Sequence, residues 1–217
     1  MYNSTIMTRT PARKRPPTRT RRFRITLTDL LWALIGLMLT IGGTLLKATI
    51  TGAPWAWTPE SVPLHFLGTS YQIGAVLLVG CLGGKNAAVM SQIAYLALGL
   101  AGFPVFSQGG GSQYMSSPGF GYLLGFVPGA WICGYLAFKV PPRLESLAFS
   151  GVCGLLTIHA VGIPYLILGS IFRWLNLNDQ SLGQALFAYS INLLPGQLAL
   201  TCSVAVLAFV MRRVMFY

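Results

Sequence analysis

The sequence predicts an all-α, polytopic membrane protein with six transmembrane helices, and three observations support this fold class. Hydrophobic residues make up 54% of the chain and charged residues only 9%, whereas a soluble domain carries about 25% charged residues. The apolar residues fall into long stretches, and about 20 such residues cross the hydrocarbon of a bilayer. The basic residues collect outside these stretches, mostly on one side of the predicted topology. So few charges could not cover a water-soluble surface.

Glycine, proline and short polar segments divide the apolar sequence into predicted spans. These spans are residues 27–46, 66–82, 87–100, 120–138, 147–172 and 186–210. A loop is predicted over 48–65, where several prolines break any helix, and a tight turn over 83–86 joins the second and third spans. Gly121, Gly125 and Gly129 repeat every four residues on the fourth span, which favours close packing against another helix.

The basic residues predict that both termini lie in the cytoplasm. Residues 1–26 carry eight Lys and Arg but no Asp or Glu, a composition typical of a disordered tail and also of an organelle transit peptide. With this tail inside, thirteen basic residues fall on the cytoplasmic side and only Lys47 and Arg173 outside, as the positive-inside rule expects. We therefore predict a disordered basic cytoplasmic tail over 1–26 that can contact anionic lipid. A six-helix membrane domain over 27–213, in the cell membrane, follows it.

The polar residues argue against catalysis, metal binding and nucleic-acid binding. The four acidic residues stand near predicted span ends or in loops, and the four cysteines show neither disulfide nor metal-ligand spacing. No phosphate-binding loop is present, and no pattern of base-stacking aromatic residues accompanies the basic tail. The sequence predicts no enzyme, no cofactor, no metal and no nucleic-acid partner. His159, well inside a span, is either a buried structural histidine or a substrate contact.

Polar residues next to predicted helix breaks mark a candidate site for a neutral or weakly polar ligand. Gln108 and the glycine run 109–111 belong to the external loop 103–118. Glycine allows a backbone to approach a ligand closely, and such a loop can act as a lid. Asn192 and Gln197 flank a Pro-Gly pair in the last span. This break is either a simple proline kink or the wall of a cavity, because exposed backbone is tolerated in a membrane only where it is buried in protein or lines a cavity.

One stretch carries a family likeness. Residues 95–126 read YLALGLAGFPVFSQGGGSQYMSSPGFGYLLGF, with a Gly-x-x-Gly-x-Pro-Val-Phe unit before a Gly-rich loop and a Gly-Tyr-Leu-x-Gly-Phe segment after it. With these units the chain resembles the BioY family, the substrate-binding S components of energy-coupling factor transporters for biotin. The matching residues are Gly99, Gly102, Pro104, Val105, Phe106, Pro118, Gly121, Tyr122, Leu123, Gly125 and Phe126. The resemblance covers about 62–210.

The resemblance implies an S-component-like bundle that captures biotin from the external side. It also implies a membrane partner, the T component, and a pair of cytoplasmic ATPases that supply the energy. The ligand-binding residues expected on this basis are Gln108, Gly109, Gly110, Gly111, Tyr122, Asn192 and Gln197. The alternatives are an S component for a related small molecule with an altered site, and a membrane assembly protein without a ligand.

The last span departs from the family at two positions. The family carries Pro-Gly-Asp-x-x-Lys there, and its Asp and Lys contact biotin, whereas this chain reads PGQLAL. Gln197 stands in place of the Asp and can still pair with a ureido group, because an amide both donates and accepts hydrogen bonds. Leu200 stands in place of the Lys and cannot hold a carboxylate. Either another cation such as Arg173 makes that contact, or the ligand differs.

Overall fold

Apolar helices make up most of the chain that the structure, a computed structural model, describes, which is residues 25–51, 64–175 and 181–215. The elements are α1 (Leu27–Leu45), β1 (Lys47–Thr51), β2 (Leu64–Ser70), α2 (Gln72–Leu100), α3 (Phe120–Ala137), α4 (Leu144–Ile171), α5 (Leu182–Leu186) and α6 (Leu194–Met215). Within these ranges, five helical regions are long and apolar enough to cross a membrane, with α5 and α6 counted as one. The predicted all-α membrane fold class is confirmed. The predicted tail falls almost wholly outside the described ranges and stays a prediction.

Helix α2 folds back on itself at Gly84, which explains why the structure counts five regions where the sequence predicts six spans. Gly84 has φ 78° and ψ 177°, a backbone conformation that glycine alone adopts readily. The amide nitrogen of Gln72 donates a hydrogen bond of 2.9 Å to the hydroxyl of Tyr95, although in a straight helix these residues would lie about 35 Å apart. The two halves of α2 are therefore antiparallel neighbours, and the predicted turn at 83–86 is confirmed.

A β-hairpin precedes α2, so the prediction that a helical span begins at residue 66 is wrong. Strands β1 and β2 pair in antiparallel fashion, with Thr49 opposite Phe66 and Thr51 opposite Leu64. Of the loop predicted over 48–65, the structure describes residues 48–51 and 64–65, and these residues belong to the hairpin. A short apolar run such as the start of β2 does not distinguish a strand from a helix by periodicity, and the β-branched residues of β1 provide a matching partner strand.

Glycines allow the central helices to pack closely. Gly80 of α2 lies against Cys133 of α3, where a Cβ atom would be 3.1 Å from the cysteine sulfur. Gly125 and Gly129 of α3 face Ile158 of α4, so the small residues that repeat along α3 pack against another helix of the same chain. The buried core consequently lies between α2, α3 and α4, with α6 packed against α2 and α4.

The two ends of the bundle differ in charge. We call one the basic end: it contains the start of α1, the turn of α2, the end of α3, the start of α4 and the end of α6. Contacts between Gly83 and Trp32, and between Arg212 and the carbonyl of Ala137, join these segments. The described basic residues of this end are Lys85, Lys139, Arg143, Arg212 and Arg213. The opposite end, the loop end, has the hairpin, the 101–119 connection and only two basic residues among those described, Lys47 and Arg173.

Candidate ligand-binding site

The last helical region is irregular just before Pro195, as the sequence predicts. A π-helical turn over Phe187–Ile191 and two further turn residues precede the start of α6 at Leu194. Proline has no N–H to donate to the carbonyl of Ile191, so a regular α-helix cannot run through this point. The irregular turns place Ser190 and Gln197 on the inside of the bundle, where both are buried.

Four buried side chains from three helices form a polar cluster near the loop end. It consists of Tyr122 of α3, His159 of α4, Ser190 of the π-helical turn and Gln197 of α6. His159 Nε2 donates to Gln197 Oε1 at 2.7 Å, and the hydroxyls of Tyr122 and Ser190 are 2.5 Å apart. The exposed fraction of the residue is 6% for His159 and 3% for Gln197. Two separate hydrogen-bonded pairs thus meet inside the membrane domain.

Aromatic rings and small residues hold the cluster in place. The ring of Tyr122 meets that of His159 edge to face, with centroids 5.5 Å apart, and stacks on Tyr189 at 6.4 Å. Gly162 of α4 packs against the Tyr122 ring, and a Cβ atom there would overlap it. Any larger residue at 162 would push α3 and α4 apart, so the sequence places its smallest residue where the ring must fit.

The cluster offers neutral hydrogen-bonding groups beside an aromatic wall. An amide oxygen only accepts, so His159 donates from Nε2, and in the neutral tautomer with this proton its Nδ1 is an acceptor. Among the described residues, Nδ1 has no hydrogen-bond partner. Gln197 uses its oxygen for His159 and has its NH₂ group to donate. Buried polar atoms are costly without partners, so this arrangement suits a small ligand that donates and accepts hydrogen bonds without carrying charge at this point.

A second buried network fastens the 103–118 loop to the bundle. The hydroxyl of Tyr95 donates to the carbonyl of Val105 at 3.0 Å and receives a hydrogen bond from Gln72. Thr44 of α1 lies 3.2 Å from the same hydroxyl. At the other side of the loop, the hydroxyl of Tyr165 donates to the carbonyl of Met115. The loop is therefore hydrogen-bonded to α2 and α4 at the same time, and Tyr95 also links α2 to α1.

The glycine run adopts the backbone conformations that its composition predicts. Gly109 and Gly111 have φ of 107° and 103°, in the region that favours glycine. A Cβ atom on Gly110 would overlap the carbonyl oxygen of Phe103, and the amide of Gly111 donates to the carbonyl of Gly99 at 2.7 Å. These glycines let the loop turn back over the end of α2.

The protein-family model described as the BioY family matches residues 19–216. The chain belongs to the BioY family. The probable biotin transporter BioY of Lysinibacillus sphaericus is 40% identical over 119 residues, which are 54% of this chain and 60% of that protein. The biotin transporter BioY of Thermotoga maritima is 38% identical over 109 residues, which are 50% of this chain and 63% of that one. Each alignment thus spans roughly three fifths of the relative.

A solved structure has the same fold. It is the crystal structure at 2.1 Å described as the S-component for biotin from an ECF-type ABC transporter. The two structures align with a TM-score of 0.63 at 20% identity, over 88% of this chain and 95% of that one. The expected S-component-like bundle is confirmed. The polar cluster and the loop end of this BioY protein therefore belong to an S-component fold.

The structure divides the predicted site residues of this BioY protein into three groups. Tyr122 and Gln197 come together in the polar cluster, where both contact His159. Gln108 and the glycine run 109–111 lie on the loop, and Gln108 is exposed. Asn192 is exposed on the last helical region. Of the predicted site residues, only Tyr122 and Gln197 are buried inside the bundle.

Sequence reasoning overlooked several of the residues that build this region. Ser190 was not singled out, although its position close before Pro195 in the last span was a usable signal. Gln72 and Gln92 were not predicted to have a role either. Both are amide residues within apolar stretches, where polar residues tend to be functional. Both are buried: Gln72 donates to Tyr95 in the other half of α2, and Gln92 donates to Thr40 of α1.

The two positions that depart from the family pattern lie in different surroundings. Gln197 belongs to the polar cluster. Leu200 is 5% exposed and lines an apolar groove of about 370 Å³ between α1, α2 and α6, beside Leu78 and Val204. Arg173, the other cation considered for a carboxylate, is an exposed residue with φ 56° just after the end of α4.

Proposed function

We propose that this BioY protein is the membrane-embedded substrate-binding component of a biotin uptake transporter and that it captures biotin at the loop end. Its family, the names of its relatives and the S-component fold support this role. The observation that carries the proposal is the buried pair of His159 and Gln197 next to the rings of Tyr122 and Tyr189. The role is binding and transfer, without a catalytic step.

The polar cluster complements the ureido ring of biotin. That ring is neutral and flat, with one carbonyl acceptor and two N–H donors. The NH₂ group of Gln197 can donate to the carbonyl, and His159 Nδ1 can accept from an N–H. Tyr122 and Tyr189 supply apolar faces for the bicyclic ring. Such a combination of an aromatic wall with a few placed polar groups is typical of small-molecule sites.

The loop 103–118 closes the external side in this proposal. Gln108, Gly109, Gly110 and Gly111 then form the cover of the site rather than its floor. The hydrogen bond from Tyr95 to Val105 holds this cover in the closed position. Release of that bond would let the loop move and open a path from outside, as lids of other binding sites do.

The proposed orientation places both termini in the cytoplasm and the protein in the cell membrane. The described part of the basic end has five Lys and Arg against two at the loop end, and the tail before α1 adds eight more. Such asymmetry orients the helices so that their basic ends face the cytoplasm. A transmembrane T component and cytoplasmic ATPases would then meet the bundle from its side and from its basic end.

A related small molecule without a carboxylate is the second candidate ligand. The specific observation is Leu200, which lies in an apolar groove where the family pattern has a lysine. Biotin amide, in which the carboxylate is neutralised, separates the two candidates in a binding measurement on the purified protein. Tighter binding of biotin supports the first candidate, and tighter binding of the amide supports the second. A folded protein that binds neither ligand would instead match a membrane assembly protein.

A further inference from the structure

A cavity with two lysines in its lining opens at the basic end, far from the proposed ligand site. It has a volume of about 430 Å³ and lies between the turn of α2 and the last turn of α3. Lys85 and Asn86 line it from the turn, and Tyr135 and Lys139 line it from α3. Asp29, at the start of α1, completes one side. The proposed ligand-binding role uses none of the residues that line this cavity.

A pair of stacked aromatic rings lies beside the cavity and is flanked by lysines. Trp131 and Tyr135 have ring centroids 5.5 Å apart and an interplanar angle of 5°. Lys85 Nζ is 5.9 Å from the centroid of Trp131 and 5.6 Å from that of Tyr135, and Lys139 Nζ is 5.7 Å from that of Tyr135. Cation–π attraction thus holds two ammonium groups next to the same ring.

The charges of the cavity do not cancel. Asp29, the one carboxylate among the described residues that line it, accepts two hydrogen bonds of 2.9 Å from Thr26 at its Oδ2 atom. This carboxylate serves as part of the capping box of α1. Two lysines against one engaged carboxylate leave a positive excess, and the residues of the tail that precede Thr26 include eight more cations. An anion is therefore the ligand that this cavity complements.

The level of the cavity within the membrane indicates the source of that anion. Trp131 is 45% exposed and Tyr135 42% exposed on a helix that spans the membrane. Exposed Trp and Tyr near the end of a span lie at the level of lipid headgroups. The cytoplasmic leaflet is rich in anionic lipid, and basic pockets between transmembrane helices on that side bind phosphate headgroups.

We propose that this cavity binds the phosphate headgroup of an anionic phospholipid. The ammonium groups of Lys85 and Lys139 hold the phosphate, and the amide of Asn86 hydrogen-bonds with the headgroup. The exposed faces of Trp131 and Tyr135 pack against the glycerol and the upper part of the acyl chains. Because the site joins the turn of α2 to the end of α3, a bound lipid would fix the basic end of the bundle.

The test measures lipid binding to the purified full-length chain in detergent by native mass spectrometry. Dioleoyl phosphatidylglycerol and dioleoyl phosphatidylcholine are titrated separately, so the acyl chains are the same and only the headgroup charge differs. The test variant carries Lys85→Gln and Lys139→Gln. Lys47→Gln is the matched control, because Lys47 Nζ also lies over a ring, 5.8 Å from the centroid of Phe66, but at the loop end. A variant with Lys85→Arg and Lys139→Arg retains the charge and checks that folding is preserved.

We expect phosphatidylglycerol to bind the unmodified chain, the Lys47→Gln control and the arginine variant with similar affinity. The double glutamine variant should bind it about thirtyfold more weakly, since each removed cation contributes about fivefold near an anionic lipid surface. Phosphatidylcholine should bind weakly to all of them. The tail is intact in every variant, so its contribution cancels.

Three outcomes would overturn the proposal. One is equal affinity of the double glutamine variant and the unmodified chain for phosphatidylglycerol, and another is equal binding of the two lipids. The third is binding of a soluble anion more tightly than phosphatidylglycerol. Tighter binding of glycerol 3-phosphate would assign the cavity to a soluble phosphate compound. Tighter binding of an Asp- and Glu-rich peptide would assign it to a protein partner.

Discussion

His159 Nε2 and Gln197 Oε1 lie 2.7 Å apart and join α4 to α6 within the membrane domain. Both side chains are more than nine-tenths buried, so neither can exchange its partner for water. The pair therefore has two consequences that can be measured separately. It stabilises the packing of two helices, and it orients the amide that we propose as a ligand contact.

Replacing Gln197 by methionine should destabilise the bundle. Methionine has nearly the same shape as glutamine but offers no amide oxygen, so the N–H of His159 loses its acceptor. A buried donor left unpaired costs about 1–3 kcal/mol. Thermal unfolding in detergent measures the loss, with Gln113→Met as the control because Gln113 is exposed on the loop. Equal unfolding midpoints for the two variants would show that this hydrogen bond does not stabilise the fold.

Replacing Gly110 by valine should weaken ligand binding without unfolding the bundle. The new side chain would overlap the carbonyl of Phe103, so the loop must move away from the end of α2. We expect at least about a tenfold loss of biotin affinity, in line with the 1–3 kcal/mol typical of overpacking. Gly183→Val is the matched control, since a Cβ atom on Gly183 meets nothing within 4 Å. Unchanged affinity of the Gly110 variant would rule out the loop as a cover.

Replacing Gly84 by alanine should destabilise the fold, whereas the same change at Gly42 should stabilise it. The φ of 78° and ψ of 177° at Gly84 lie in a region that is essentially restricted to glycine, and they cost an L-residue about 1–3 kcal/mol. Gly42 lies inside α1 with open space around it, and Gly to Ala in a helix contributes about 1 kcal/mol. Thermal unfolding midpoints should therefore shift in opposite directions. Equal shifts of the same sign would contradict the reversal of α2 at Gly84.

Combining Gln197→Asp with Leu200→Lys should raise biotin affinity and reverse any preference for biotin amide. An aspartate at position 197 can still accept from His159, and a lysine at position 200, about one turn further along α6, would bring a cation into the apolar groove that Leu200 lines. We expect about a tenfold gain for biotin over the amide, the size of one charge-assisted contact. Competition between labelled biotin and the amide measures this ratio. A ratio identical to that of the unmodified chain would show that the ligand carboxylate binds elsewhere.

The extent to which the sequence predicts this fold depends on the kind of signal. The turn of α2 was predictable, because Gly83 and Gly84 interrupt an apolar run and are followed by the polar Lys85 and Asn86. The hairpin was not, because β2 begins with apolar residues that suit a helix equally well. Its partner strand β1 follows α1 directly and offers no separate signal.

The candidate site was predictable only in part. Gln197 stands beside a proline in an apolar segment, and Tyr122 lies in a family motif, so both could be chosen from the sequence. Their meeting around His159 depends on how α3, α4 and α6 pack, which no local pattern encodes. Asn192 seemed equivalent to Gln197 in sequence, but the irregular turns before Pro195 leave Asn192 exposed.

Calorimetric titration of the folded, purified chain with biotin tests the central claim most directly. We predict saturable binding with a stoichiometry near one, at least about tenfold weaker binding by Gln197→Met, and no change in Gln113→Met. A folded chain that gives no binding heat and retains no labelled biotin would contradict the proposed function. Biotin binding that is indifferent to Gln197→Met would place the ligand outside the polar cluster.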